Sequence, residues 1–252
     1  MSWVPNTPAE DKRNFIMPTI PKLEDMLKAG IHFGHQSSRW HPRMEPYIFT
    51  ERGGIHIINL EKTQEMLSKA LDILKGIASR GGVIMCVGTK RQAQEILKTE
   101  MEACGMPYVN QRWLGGTLTN FAEIRKLIRR YKMLKDQQAK GELKKYTKKE
   151  QLMFAREIEE LDKKVGGIQT IDRLPDALFI VDIKTEKTAL EEAIVTGIPV
   201  IALCDTNVNP DDVQYPIPAN DDAVKSIQMM LHLVSEAIQE GKNQKQKEEG
   251  AV

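Results

Sequence analysis

Three short runs free of charge, Val83–Val87 (VIMCV), Ala177–Val181 (ALFIV) and Pro199–Leu203 (PVIAL), constrain this chain most. Apolar and polar residues do not alternate in them, so each strand must be buried on both faces, as in a parallel sheet covered by helices on either side. The intervening segments fit that layout. Helices are expected over Pro21–Ala29, Glu61–Ser79, Gln92–Ala103 and Ala223–Glu240, with another near Glu186–Val195. Ile55–Ile58 and Tyr108–Val109 read as further strands. Pro21 suits a first helical position and Gly30 a stop, while Met66, Leu67, Ala70, Leu74 and Ile77 recur at helical spacing. The fold class is therefore α/β with a central parallel sheet.

A strongly basic segment interrupts this alternation between the first two runs. Arg125–Lys149 holds 11 Lys/Arg against 2 Asp/Glu, whereas the whole chain carries 36 against 35, a net charge of +1. Asn120 with Glu123, and Thr147 with Glu150, read as cap pairs that open two helices. Ile124, Leu127, Ile128, Tyr131 and Leu134 give the first helix an apolar stripe; Leu152, Ala155, Ile158, Leu161 and Val165 give the second one its own. Two stripes this narrow bury each other as an antiparallel coiled-coil hairpin and leave the remaining positions wet. An ordinary solvated face mixes its signs. So one-sided an excess points to a polyanionic partner, RNA first.

The expected organisation is a flexible extension over 1–16, an α/β body from 17–119 and 168–240, the inserted hairpin at 120–167, and a disordered polar tail at 241–252. Met17 begins a segment, MPTIPKLEDML, that would itself serve as a start. The N-terminal residues are polar with Asp and Glu among them, unlike a secretory signal or transit peptide, and no run approaches a membrane span, so a cytoplasmic location is expected. Cys86, Cys104 and Cys204 are few and far apart, which speaks against a disulfide framework or structural zinc.

The strand-end sequence Val87-Gly88-Thr89-Lys90-Arg91 lacks the GxxxxGK spacing of a phosphate-binding loop, and no GxGxxG occurs, so no nucleotide cofactor is expected. Gly88, Lys90 and Arg91 remain candidates for a nucleic-acid phosphate at the next helix start, with a plain solvated turn equally consistent. Two basic patches carry an aromatic: Arg39-Trp40-His41-Pro42-Arg43 and Arg112-Trp113. An indole can stack on an unpaired base while adjacent guanidinium groups meet phosphates; the alternative is an indole in the core with its arginine outward. The candidate RNA-binding set is Arg39, Trp40, Arg43, Lys90, Arg91, Arg112, Trp113, Arg125, Arg129 and Arg130. Asp182 and Asp205 follow buried strands, where α/β enzymes place catalytic groups, and His32 and His35 could join them as metal ligands or acid–base groups. Without an HExxH context or a nucleophile elbow, loop capping explains the aspartates as well.

Several strings together resemble the bacterial form of the small-subunit ribosomal protein S2 family. They are Gly30–Gln36 (GIHFGHQ), Trp40–Ile48 (WHPRMEPYI), Ile57–Thr63 (IINLEKT), Val87–Lys90 (VGTK), Arg112–Phe121 (RWLGGTLTNF), Leu174–Asp182 (LPDALFIVD), Gly197–Asn207 (GIPVIALCDTN) and Ile217–Ala223 (IPANDDA), colinear from about Met17 to Gly241. The resemblance implies a flavodoxin-like three-layer body with an inserted coiled-coil hairpin. It also implies a structural role in the small ribosomal subunit, bound to 16S rRNA between head and body, and a part in docking the mRNA-binding ribosomal protein with tandem OB-folds. No catalysis and no cofactor come with it. His41, Arg43 and Asn209 depart from the residues usual in the family, as do the loop Gln169–Arg173 and the N-terminal extension.

Two rival readings stand beside that one. An α/β enzyme would use Asp182, Asp205 and His35 around a metal or phosphate substrate, leaving the hairpin without a purpose. A protein-docking module would contact partners through the hairpin and RNA through the body alone.

Overall fold

The computed structural model describes residues 20–249, so the expected extension over 1–16 lies outside the described residues. The chain begins with α1 (Leu23–Ala29), β1 (Phe33–Gln36), β2 (Ile48–Arg52), β3 (Ile55–Ile58) and α2 (Leu60–Ser79). Next come β4 (Ile84–Val87), α3 (Gln94–Cys104), β5 (Tyr108–Val109) and the two long helices α4 (Phe121–Ala139) and α5 (Lys148–Val165). The chain then returns through β6 (Ala177–Ile180), α6 (Lys187–Thr196), β7 (Val200–Cys204), β8 (Tyr215–Pro218) and α7 (Val224–Glu249).

Five strands pair in parallel in the order β5-β4-β6-β7-β8. Ile84 lies opposite Ala177, Leu178 opposite Val200, and Ile201 opposite Tyr215. Side chains alternate between two layers. Ile84, Cys86, Phe179, Val181, Ile201 and Leu203 pack with α2, α3 and α7. Met85, Val87, Leu178, Ile180, Val200 and Ala202 pack with α6 and the two long helices. This double covering is why the strands carry no polar alternation.

Ile55–Ile58 forms a strand, as expected, but in a separate sheet. It is the centre of an antiparallel trio, β1-β3-β2, with Phe33 opposite Ile57 and Glu51 opposite His56. β8 escapes a reading by propensity because Pro216 and Pro218 lie in it; both are tolerated on a sheet edge, where a missing N–H costs nothing.

The hairpin forms, with two differences from its expected detail. Asn120 makes no side-chain cap to α4, whereas Thr147 and Glu150 complete the reciprocal capping box on α5. On α5, Leu152 is 53% exposed and Ala155 also faces solvent. The buried stripe is Ile158, Leu161 and Val165, extended toward the tip by the partly buried Phe154. Across the pair, Arg130 donates to Glu157 from Nε at 2.8 Å and from its terminal nitrogen at 3.1 Å, and the Tyr131 hydroxyl bonds the Asp162 carboxylate.

The expected disordered tail is instead helical as far as Glu249. Packing is the reason. A Cβ on Gly241 would lie 2.4 Å from the Lys75 carbonyl of α2, and Lys242 Nζ donates to the Cys104 carbonyl at 2.6 Å, satisfying the C-terminus of α3. Polar composition predicts disorder only where no neighbour holds the helix.

Candidate nucleic-acid interface

The parallel strands end on one edge, and the candidate basic residues gather there and along α4. Arg91 follows β4, and Arg112 follows β5. Arg39, Trp40 and Arg43 lie between β1 and β2, in a segment tied to the end of β7 by the His41 N–H, which donates to the Thr206 carbonyl at 2.8 Å. Gly34 permits the close approach, since a Cβ there would meet the Thr206 side chain at 2.5 Å and the His56 carbonyl at 3.0 Å. Arg39, Arg91, Arg112 and Arg129 are exposed and join no ion pair among the described residues. Arg43 is exposed beside Asp211, with Nε 3.5 Å from its carboxylate. Arg125 is half-buried; it donates to the Asp172 carbonyl at 3.3 Å and lies over the Phe121 ring. Trp40 is half-buried and stacks on His56, ring centroids 5.1 Å apart.

Three candidates are placed differently from expectation. Trp113 is only 8% exposed and packs in the core, so it offers no open ring face for a base. Arg130 is engaged by Glu157. Lys90 turns inward: its ammonium lies 2.9 Å from Asp182, 2.8 Å from Asp221 and 2.8 Å from Asp222. Its charge is neutralised within the fold, because parallel topology brings three strand-end loops to the same point.

That point is an acidic cluster with two basic partners, Lys90 and His35. His35 Nδ1 sits 3.0 Å from Asp205 and Nε2 3.4 Å from Asp222. The hydrogen bond to Asp205 raises the imidazole pKa against the effect of burial. Burial works against the Lys90 ammonium, but the Asp221, Asp222 and Asp182 carboxylates outweigh it and hold its pKa above the ordinary value. Asp221, buried and facing Asp182 and Asp205, is pushed up to about 8. Asp182 accepts from the Lys184 N–H at 2.8 Å, the Thr185 N–H at 3.2 Å and the Thr185 hydroxyl at 2.6 Å, so it caps the loop after β6. These bonds and Lys90 outweigh burial and hold its pKa below the usual range. Donor atoms of His35, Asp205 and Asp221 lie within 4.8 Å of one another, the grouping among the described residues that could face a cation. Lys90 already brings positive charge there. His32 stands apart, tilted by 38° against Phe33 with ring centroids 4.0 Å apart.

A residue that motif reading passed over organises the other half of the edge. Glu192, buried on α6, receives the loop from Trp113 to Thr119. Its carboxylate accepts from the Trp113 indole N–H at 3.0 Å, the Gly116 N–H at 2.8 Å, the Leu118 N–H at 2.9 Å, and the Thr119 N–H and hydroxyl at 3.1 and 3.2 Å. Burial alone would raise its pKa; these donors outweigh it and hold the carboxyl below the usual range. An acid among the small and apolar residues of the α6 face, Ala189, Leu190 and Ala193, was the available signal, and its partners are more than seventy residues away.

The family model described as ribosomal protein S2 matches residues 26–241. The small ribosomal subunit protein uS2 of Dehalococcoides mccartyi is 50% identical over 227 residues, covering 90% of this chain and 92% of the relative. That of Chlorobaculum tepidum is 51% identical over 226 residues, covering 90% and 91%. That of Chlorobium phaeovibrioides is 54% identical over 217 residues, covering 86% and 84%.

Proposed function

The chain belongs to the ribosomal protein S2 family, and on that premise we propose that it holds 16S rRNA between the head and body of the small subunit. Its role is structural, as a ribosome-bound protein of the small subunit, and not that of an enzyme. In this reading Arg39, Arg43, Arg91, Arg112, Arg125 and Arg129 meet phosphates, and Trp40 presents the ring face away from His56 to a base. The observation that carries it is the set of exposed arginines, Arg39, Arg91, Arg112 and Arg129, that meet no acidic partner among the described residues, in a chain whose net charge is only +1. Such groups gain most where a phosphate replaces water and releases counterions. The chain also helps dock the mRNA-binding protein with tandem OB-folds, a part of the proposal that rests on the family alone.

Filter binding of small-subunit rRNA at several salt concentrations tests the RNA reading. Changing Arg91 and Arg112 to Gln should weaken binding and lower the slope of log affinity against log salt by about one for each phosphate no longer neutralised. An unchanged slope removes both residues from the interface. Co-sedimentation of the tandem OB-fold protein with subunits lacking this chain tests the docking role; undiminished recovery refutes it.

A further inference from the structure

We infer that Glu192 is a positioning residue for RNA contact, fixing Arg112 and the direction of α4 relative to the α/β body. The inference rests on the RNA-binding reading above.

The loop it holds joins β5 to α4. Arg112 immediately precedes Trp113, the first anchored residue, and α4 begins two residues beyond Thr119, the last. Asn120 leaves α4 without a side-chain cap, and the local bonds, from the Thr117 hydroxyl to the Leu114 carbonyl at 2.6 Å and from the Asn120 N–H to the Gly116 carbonyl at 2.8 Å, close turns within the loop without tying it to the body. Glu192 satisfies the N–H groups before the helix from another element, and its negative charge faces the positive end of α4. Gly116 adopts φ of +89°, a conformation open to glycine, which lets its N–H turn toward the carboxylate.

All five of these donors are neutral, and no lysine or arginine pairs with Glu192 among the described residues. A site made only of donors suits a carboxylate and rejects an amide. Glutamine would match the shape but turn an NH2 group toward N–H donors, leaving them unsatisfied in a buried place. The loop would loosen at one end of the hairpin. The apolar seam of α4 and α5, and the sheet, would remain. Arg125 and Arg129 ride on α4, so a change in its direction moves them together with Arg112.

The experiment compares Glu192→Gln, Arg112→Gln and the double variant as full chains, at a temperature where each is folded by circular dichroism. The readouts are affinity for small-subunit rRNA across salt and hydrogen exchange of the Trp113 indole N–H. The single change at Glu192 is expected to speed indole exchange and to lower affinity about tenfold with a shallower salt slope. In the Arg112→Gln background its effect on affinity should shrink, because part of it acts through that arginine. Faster indole exchange with unchanged affinity and slope overturns the inference and leaves RNA binding standing, as do strictly additive effects. Failure of the unaltered chain to bind rRNA overturns the RNA reading, and the inference falls with it. Should Glu192→Gln not fold, Trp113→Phe removes one donor and keeps the ring packed; about threefold weaker binding supports the inference, and unchanged binding overturns it.

Discussion

Replacing Lys90 with Met removes the ammonium from Asp182, Asp221 and Asp222 while keeping a side chain of similar length. Asp222 is half exposed, at 52%, and its share of the loss is small, about 0–1 kcal/mol. Asp182 is 5% exposed and ionised, and a buried charge left without its partner costs about 3–5 kcal/mol; Asp221, 2% exposed, becomes such a charge as pH rises through about 8. In a chain of this size that corresponds to a melting point lowered by roughly 6–20 °C. The deficit depends on pH. Asp221, already pushed up to about 8 with Lys90 beside it, rises further once the ammonium is gone. A carboxyl whose folded pKa is raised favours the fold while protonated; that contribution is complete below its ordinary value of 3.8 and is lost as pH climbs through the folded value. His35, with its own raised pKa, adds the same sign. Urea unfolding of the free chain at about pH 6 and about pH 9 should therefore show a larger loss for Lys90→Met at the higher pH, partly recovered by adding Asp221→Asn. A loss under about 1 kcal/mol, or one equal at both pH values, refutes the reasoning.

The hairpin seam predicts a contrast on one helix. Ile158→Ala should cost about 2–5 kcal/mol, while Leu152→Ala, at an exposed position, stays within about 0.5 kcal/mol; equal losses in denaturant titrations would contradict the observed stripe. Gly34→Ala forces a Cβ to within 2.5 Å of Thr206 and 3.0 Å of the His56 carbonyl. A destabilisation of about 1–3 kcal/mol is expected, and a wild-type melting curve would contradict so close a packing of the small sheet on the end of β7. Glu192 is held below its ordinary 4.5, so its stabilisation is present above that value and is lost as pH falls through the lower folded value. Trp113 fluorescence should stay constant from about pH 7 to about pH 5 and change only at more acid pH; a transition near neutrality would exclude Glu192 as its partner.

Much of the architecture can be read from periodicity because it depends on burial, which a local pattern reports. Continuous apolar runs identified β4, β6 and β7, and spacing along residues 61–79 identified α2. The antiparallel trio was less legible. Phe33–Gln36 and Ile48–Arg52 are short, mostly exposed and polar, and become strands only by pairing with β3. On α5 Ile158, Leu161 and Val165 keep the expected stripe, but in its first turns Leu152 and Phe154 are both apolar, and the seam with α4 turns Phe154 inward.

The basic candidates divide along the same line. Composition located the positive charge, and the strings from GIHFGHQ to IPANDDA were sufficient to identify the family. Fold class, family and the existence of a cationic hairpin thus followed from the order of residues alone, since each depends on patterns within one element or on motifs preserved in sequence. Which charges face outward was decided only by tertiary structure. Lys90 meets Asp221 across 131 positions, and Glu192 meets Thr119 across 73. Whether a charge is available to a partner is determined by what else lies within about 4 Å, and parallel crossovers set those distances between residues remote in the chain.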